Sequence, residues 1–373
     1  MAAVTALRTE APIDAVNVHV YKIPTEQQPH ESDGTLEWSA TTMVLVEVRA
    51  GGATGIGYTY ADAGAGDVVR DMLQDVLLHK DAMQTGARYA DMYAKIRNNG
   101  REGLTSMAIS AVDVALWDVK GKLLGAPVCT LLGATREQVP VYGSGGFTSY
   151  TLRRLTDQLA CWAHEMRIPR VKMKVGREPD ADPQRVAAAR EAIGKDAELF
   201  VDANGAYSVK QALELAGHFA EQNVSWYEEP VYHNDLRGNA YVREHAPAVM
   251  EVSNGEYGYA PYNFAQIIKE GAADVLQADV TRCGGFSGFL AVDGLCEATM
   301  TPLSSHCAPY ITLHAAAAAK MLRHVEYFHD HVLIEQRFFD GTPDPVDGFL
   351  KPDLRRPGIG LEFKRQDAEE YAL

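Results

Sequence analysis

At 373 residues, with 46% hydrophobic and 23% charged side chains, the chain has the composition of a folded globular protein, roughly two to three domains or one large barrel with an appendage, and not of a disordered, fibrous or disulfide-rich one. Its 50 acidic against 35 basic residues leave a formal net charge of −15, a field that repels a phosphate backbone and excludes nucleic acid as an expected partner. The five cysteines (Cys129, Cys161, Cys283, Cys296, Cys307) are odd in number and lack CxxC spacing, which suggests neither a disulfide framework nor a thiolate zinc cluster and fits a reducing, cytoplasmic location.

Met1 to Pro12 carries Arg8 and Glu10 and lacks the apolar core of a signal peptide. Residues 14 to 60 alternate apolar and polar, as in Val16-Asn17-Val18-His19-Val20-Tyr21 and Met43-Val44-Leu45-Val46-Glu47-Val48, with Gly51-Gly52 as a turn; this predicts a small antiparallel sheet. From Asp67 to Leu124 the spacing is helical, and it closes on Gly125-Ala126-Pro127, a C′ glycine followed by a helix-stopping proline. Strands and then helices in separate blocks predict an α+β domain over residues 1–135.

Beyond Val139, short β-branched runs alternate with amphipathic stretches. The predicted strands are Val139–Tyr142, Arg170–Val175, Leu199–Val201, Ser225–Tyr227, Val249–Ser253, Val275–Ala278, Thr301–Ser304 and Val332–Ile334. From the second onward nearly all end in an ionisable residue: Lys174, Asp202, Glu228, Glu256, Asp279, His306 and Glu335. Alone, each acid reads as a helix cap or loop residue. Recurring at intervals of about 23 to 29 residues, close to the roughly 30 of a barrel unit, they predict a (β/α) barrel over 136–339 with these side chains at one mouth. The alanine run Ala315–Ala319 is closed by Lys320, well short of the ~20 apolar residues of a membrane span, so no membrane partner is expected. Residues 340–373, rich in proline and glycine, hold no further unit and are expected to return to the N-terminal domain.

Lys172 and Lys174 lie at i and i+2 of Val171-Lys172-Met173-Lys174-Val175, so both ammonium groups share one strand face. Buried there, each lowers the other's pKa, and a lysine tuned towards neutrality is a general base. Asp202, Glu228 and Glu256 form an all-oxygen set suited to a hard cation, Mg²⁺ above all; zinc would prefer nitrogen or sulfur. Glu229 and Asn204 follow the ligand candidates and read as groups supporting them. Asp279 and His306 end neighbouring strands, where the carboxylate orients the imidazole.

Taken in order, Lys172-Met173-Lys174, Asp202-Ala203-Asn204, Tyr227-Glu228-Glu229-Pro230, Gly255-Glu256, Asp279 before Cys283-Gly284-Gly285, Ser304-Ser305-His306 and Ile334-Glu335 resemble the motifs of the mandelate racemase subgroup of the enolase superfamily. The stretch Ala115-Leu116-Trp117-Asp118-Val119-Lys120-Gly121-Lys122 with Leu131-Leu132-Gly133 is similar to that family's capping-domain helix. The resemblance implies a modified TIM barrel, class α/β, under an N-terminal α+β cap completed by the C-terminal tail. It implies Mg²⁺ on Asp202, Glu228 and Glu256, a base on Lys174 with Lys172 beside it, and an Asp279–His306 dyad opposite. Glu335 falls where the family keeps an acid that hydrogen-bonds the substrate carboxylate, and Arg282 stands where a lysine is frequent. Relatives are usually dimers or octamers, so a homo-oligomer is expected.

The chemistry implied is removal of a proton α to a carboxylate, with the enediolate stabilised by Mg²⁺, Lys172 and protonated Glu335. The leading expectation is dehydration of an acid sugar to a 2-keto-3-deoxy acid; the alternative is a racemase, epimerase or cycloisomerase. A sugar-acid-binding protein without catalysis is a third reading, but binding has no need of two opposed bases. For substrate contacts beyond the reacting centre, the cap loop from Tyr21 to Trp38, with His30, and Tyr60 join Asn204 and Arg282 as candidates.

Overall fold

The computed structural model describes residues 10–26 and 30–373; most of the Met1–Pro12 stretch and residues 27–29 of the Tyr21–Trp38 loop lie outside the described residues. The chain begins with a three-stranded antiparallel sheet, Ile13–Pro24, Ala40–Ala50 and Ala53–Tyr60, with the second strand in the middle. Gly51 and Gly52 turn it at φ of 58° and 84°, values that a side chain would oppose. Helix Leu104–Leu124 lies on this sheet and stops at Gly125, φ 64°. The approach is so close that a Cβ at Gly55 or Gly57 would strike the carbonyls of Ala115 and Ala111. Apolar side chains from Val44, Val46, Ile109 and Val112 fill the layer between them.

Eight parallel strands follow: Val139–Gly145, Arg170–Lys174, Glu198–Asp202, Val224–Glu228, Glu251–Asn254, Val275–Ala278, Leu303–Ser305 and Val325–Phe328. The first seven strands pair in chain order, and the eighth pairs with the first, so the sheet curls into a barrel. Between the seventh and eighth the seam is closed by single bonds, Ser305 N–H to His324 O at 3.2 Å and Arg323 N–H to Leu303 O at 2.8 Å. Tyr142, Phe200, Trp226 and Val275 plug the interior below the mouth, with Phe200 stacked on Trp226 at 5.2 Å. The architecture is the expected α/β barrel with an α+β cap.

One predicted strand is wrong. Val332–Ile334 belongs to helix His329–Phe338, which starts directly after the eighth strand, with Phe328 as its cap residue and no loop between. The run looks extended in sequence because it is apolar and partly β-branched, but Val332 and Ile334 are buried on the helix.

The tail runs back to the cap. Ile359 N–H donates to the buried Asp118 carboxylate at 2.7 Å, and Leu373 N–H donates to Val20 O at 2.9 Å. Among the described residues no helix is long and apolar enough to cross a membrane.

Candidate active site at the barrel mouth

Strand register places the ionisable groups. Lys174, Asp202 and Glu228 are the last residues of the second, third and fourth strands and stand level across the sheet. Glu256, Asp279 and His306 lie just beyond the ends of the fifth, sixth and seventh. Carboxylate oxygens of Asp202, Glu228 and Glu256 come within 4.8 Å of one another, and all three side chains are buried.

On one flank Lys172, fully buried above the Tyr142 ring, donates to both Glu228 oxygens at 2.7 Å. It also reaches Glu326 Oε1 at 2.7 Å. Lys174 donates to Asp202. Lys172 lowers the pKa of Lys174 as expected, but the pair is not tuned towards neutrality. Burial does push both down, but the carboxylates of Asp202, Glu228 and, for Lys172, Glu326 outweigh it and hold both above the ordinary lysine value.

On the other flank Nδ1–H of His306 donates to Asp279 Oδ2 at 2.7 Å, which leaves Nε2 as the basic nitrogen, 3.6 Å from Glu256 Oε2. Thr281 holds the other Asp279 oxygen through its backbone N–H and hydroxyl, both at 2.7 Å. Burial lowers the His306 pKa, yet Glu256 and Asp279 raise it by more. Arg282 spans Asp279 and Glu256 at 3.5 and 3.6 Å.

The acids carry an uncompensated surplus. Burial and the neighbouring Asp202 push Glu228 up, and burial with Glu256 pushes Glu229 well up. Buried Glu256 Oε2, Glu229 Oε1 and Asn204 Oδ1 have no hydrogen-bond partner among the described residues. Three converging carboxylates with an orphaned oxygen fit a hard divalent cation of the magnesium type.

Above the acids opens a cavity of about 390 Å³ between barrel and cap, lined by Lys174, Asn204, Glu256, Asp279, Arg282 and His306 from below. Tyr60 also lines it, stacked on His331 at 3.5 Å. Two other cap candidates do not line it. Tyr21 is buried in the apolar cluster that the cap sheet shares with barrel and tail, packed on Phe363 at 5.4 Å, and His30 stands before the short strand Glu31–Ser32. Glu335 is corrected with its strand: it sits on the helix, wholly buried, accepting from Tyr60 OH at 3.1 Å and Tyr310 N–H at 3.2 Å, and it does not line the cavity. Burial raises its pKa to about 8.

The acid that the eighth strand does carry is Glu326. Lys172, Ser144 Oγ at 2.6 Å and Cys307 N–H at 2.8 Å all bond it, and Lys172 keeps it well below the usual carboxylate range against the effect of burial. Sequence reasoning missed it because Val325-Glu326-Tyr327-Phe328 is short and its acid stands inside the strand, where the others end theirs. Asp33 and Trp38, from the cap loop expected to contact substrate, also line the cavity, as do Asp330 and His331, which carried no sequence signal.

Family models match most of the chain: one described as mandelate racemase/muconate lactonizing enzyme, N-terminal domain, over residues 15–133, and one described as enolase C-terminal domain-like over 154–368. The chain is 31% identical to D-galactarolactone cycloisomerase of Agrobacterium fabrum, over 97% of this chain and 99% of the relative. It superposes with a TM-score of 0.94 on a mandelate racemase/muconate lactonizing enzyme-like protein from Rubrobacter xylanophilus, 51% identical over 97% of this chain and 100% of the other. It also superposes with a TM-score of 0.88 on L-talarate/galactarate dehydratase from Salmonella typhimurium LT2 liganded with Mg and L-lyxarohydroxamate, 27% identical over 100% of this chain and 96% of that one.

Proposed function

The chain belongs to the mandelate racemase/muconate lactonizing enzyme family, and on that premise we propose that it is a magnesium-dependent enzyme that removes the proton α to the carboxylate of an acid sugar and releases a 2-keto-3-deoxy acid by dehydration. The observation that carries this reading is the convergence of Asp202, Glu228 and Glu256 between a lysine pair and a His306–Asp279 dyad. The three acids would hold Mg²⁺, which when bound supplies fixed positive charge against the negative charge that develops on the substrate carboxylate.

Lys172, held by Glu228 and Glu326, keeps an ammonium group beneath the reacting centre. Glu326, and not Glu335, is the acid of this set on the eighth strand. Lys174 lines the cavity and would be placed to take the α-proton once a cation on Asp202, Glu228 and Glu256 offsets the carboxylates that hold its ammonium group protonated. His306, with Nδ1–H fixed on Asp279, presents Nε2 to the cavity from the other flank. In dehydration, protonated Nε2 gives its proton to the β-hydroxyl as the carbon–oxygen bond breaks, water leaves, and the enol tautomerises to the keto acid. The unpaired state of all five cysteines supports a reducing, cytoplasmic setting; a homo-oligomeric form, expected from sequence, is tested by light scattering.

The experiment is a panel of acid sugars with Mg²⁺ in deuterium oxide, read by semicarbazide for keto acid and by NMR for α-exchange. Keto acid with α-exchange supports dehydration. A second reading, cycloisomerisation or epimerisation, is favoured by the full-length likeness to a cycloisomerase; exchange without keto acid selects epimerisation, and keto acid formed from a ring-closed acid without loss of water, read by mass spectrometry, selects cycloisomerisation. Neither signal on any acid overturns both.

A further inference from the structure

Among the described residues, positive charge in the cavity is confined to its floor. The basic lining residues are Lys174, tied to Asp202, and Arg282, tied to Asp279 and Glu256. The far wall is acidic. Asp33 and Asp330 line it, 9% and 5% exposed, and Asp62 lines it at the rim. Asp330 Oδ2 accepts from the Trp38 indole N–H at 3.0 Å, whereas its buried Oδ1 has no hydrogen-bond partner among the described residues. Asp33 Oδ1 is held by the N–H groups of Thr35 and Leu36 at 2.7 and 2.6 Å, which fixes that side chain from within its own loop.

No lysine or arginine offsets these acids from the cap loop: none occurs between Lys22 and Arg49, and residues 27–29 are Gln27, Gln28 and Pro29. Arg154 and Arg177, which approach the loop from the barrel, are each paired with one of its acids, Glu26 and Glu37. His331 Nδ1 accepts from Ala308 N–H at 3.2 Å, so that imidazole is neutral and offers only Nε2–H. Arg337 lines a separate cavity on the other side of Thr41 and Asp330, facing Glu370 at 3.7 Å.

We infer that the far end of this cavity takes the hydroxyl groups of a polyhydroxy acid and rejects a second carboxylate, so that the substrate carries one negative charge: an aldonic acid, or an acid sugar whose other end is closed in a neutral ring. The inference rests on the α-proton chemistry proposed for the same site. Carboxylate acceptors with a free lone pair suit hydroxyl donors, and the Trp38 ring beside them offers an apolar face to sugar carbons. A carboxylate brought against Asp33 and Asp330 meets like charge, because the basic groups near them are already engaged: Lys174, which acts on Asp33, is tied to Asp202, and His329, which clusters with Asp330 and Glu31, pairs with Glu26 at 3.0 Å.

The test compares galactonate and galactarate on the Mg²⁺-loaded protein in two readouts. Titration calorimetry reads binding whether or not chemistry follows, and α-deuterium exchange reads the reaction. The expected result is galactonate bound about tenfold or more tightly, the cost of one unfavourable charge contact of about 1.4 kcal/mol. In Asp330→Asn, and independently in Asp33→Asn, the gap narrows because the dicarboxylate gains. Equal or tighter binding of galactarate by the unaltered protein overturns the inference and leaves the proposed reaction standing. A preference for galactonate with no exchange on either acid overturns the reaction and leaves the charge preference in place.

Discussion

Lys172 and Lys174 stand two residues apart on one strand face, yet their partners give them different work. Lys172 is enclosed by Glu228 and Glu326 with no exposure, so its ammonium group cannot swing, whereas Lys174 meets Asp202 and opens onto the cavity. Lys174→Ala is therefore expected to lower turnover about 10²- to 10⁴-fold, the usual worth of a positioned base. His306→Asn is expected to lower it by a similar factor while retaining α-exchange catalysed by Lys174. Deuterium exchange followed beside product formation separates the two, and equal loss of exchange in both variants contradicts the division of labour. The orphaned Glu256 Oε2 carries a second prediction at this scale. Mg²⁺ should raise the melting temperature of the unaltered protein by mass action, and Glu256→Gln should flatten that dependence. A thermal-shift titration against Mg²⁺ reads it without substrate.

Among the elements, the cap shows how packing reads back into sequence. Gly55 and Gly57 let helix Leu104–Leu124 rest on the third sheet strand, and Gly57→Ala would press a methyl group into Ala111 O. The expected loss is about 1 to 3 kcal/mol of unfolding free energy, read by urea denaturation, with the barrel site unaltered in Mg²⁺ titration. The barrel was legible because parallel strands place their last residue at one mouth, so Lys174, Asp202 and Glu228 mark strand ends by themselves. The eighth strand was not, since Val325–Phe328 runs into a helix without a turn residue while Val332-Leu333-Ile334 in that helix has the stronger extended texture. Tyr21 shows the limit of alternation: a period of two says which face a side chain takes, not whether that face meets the barrel or Phe363. Trp38 and Asp330 belong to distant segments that meet only on folding, a pairing no local pattern encodes.

At the scale of the whole molecule, cap, barrel and tail meet at His314, and its titration ties their union to pH. It lies on the barrel helix Pro309–Ala318, takes a hydrogen bond at Nδ1 from Cys129 N–H at 3.3 Å and donates from Nε2 to Ile359 O of the tail at 2.8 Å. An imidazolium could not accept the first bond, and burial lowers the pKa to about 4. His324, buried with Nδ1 against Ser304 Oγ at 2.9 Å, is lowered by burial to about 3. Between these values and the ordinary histidine value near 6.5, the unfolded chain binds protons that the folded chain refuses. The stabilisation is therefore complete above about pH 6.5 and lost as pH falls towards 4, with a slope of up to about 1.4 kcal/mol per pH unit for each histidine. Buried Glu335, whose pKa is raised to about 8, pulls the other way over the same range, so the histidine contribution is read as the difference between the His314→Gln variant and the unaltered protein in urea denaturation from pH 7 to pH 4.5. His314→Gln, which retains an amide donor and acceptor and does not titrate, should lower stability at pH 7 and reduce the slope by up to one proton. An unchanged slope in that variant would mean that His314 is protonated in the folded protein and that the tail is held to the barrel by other bonds.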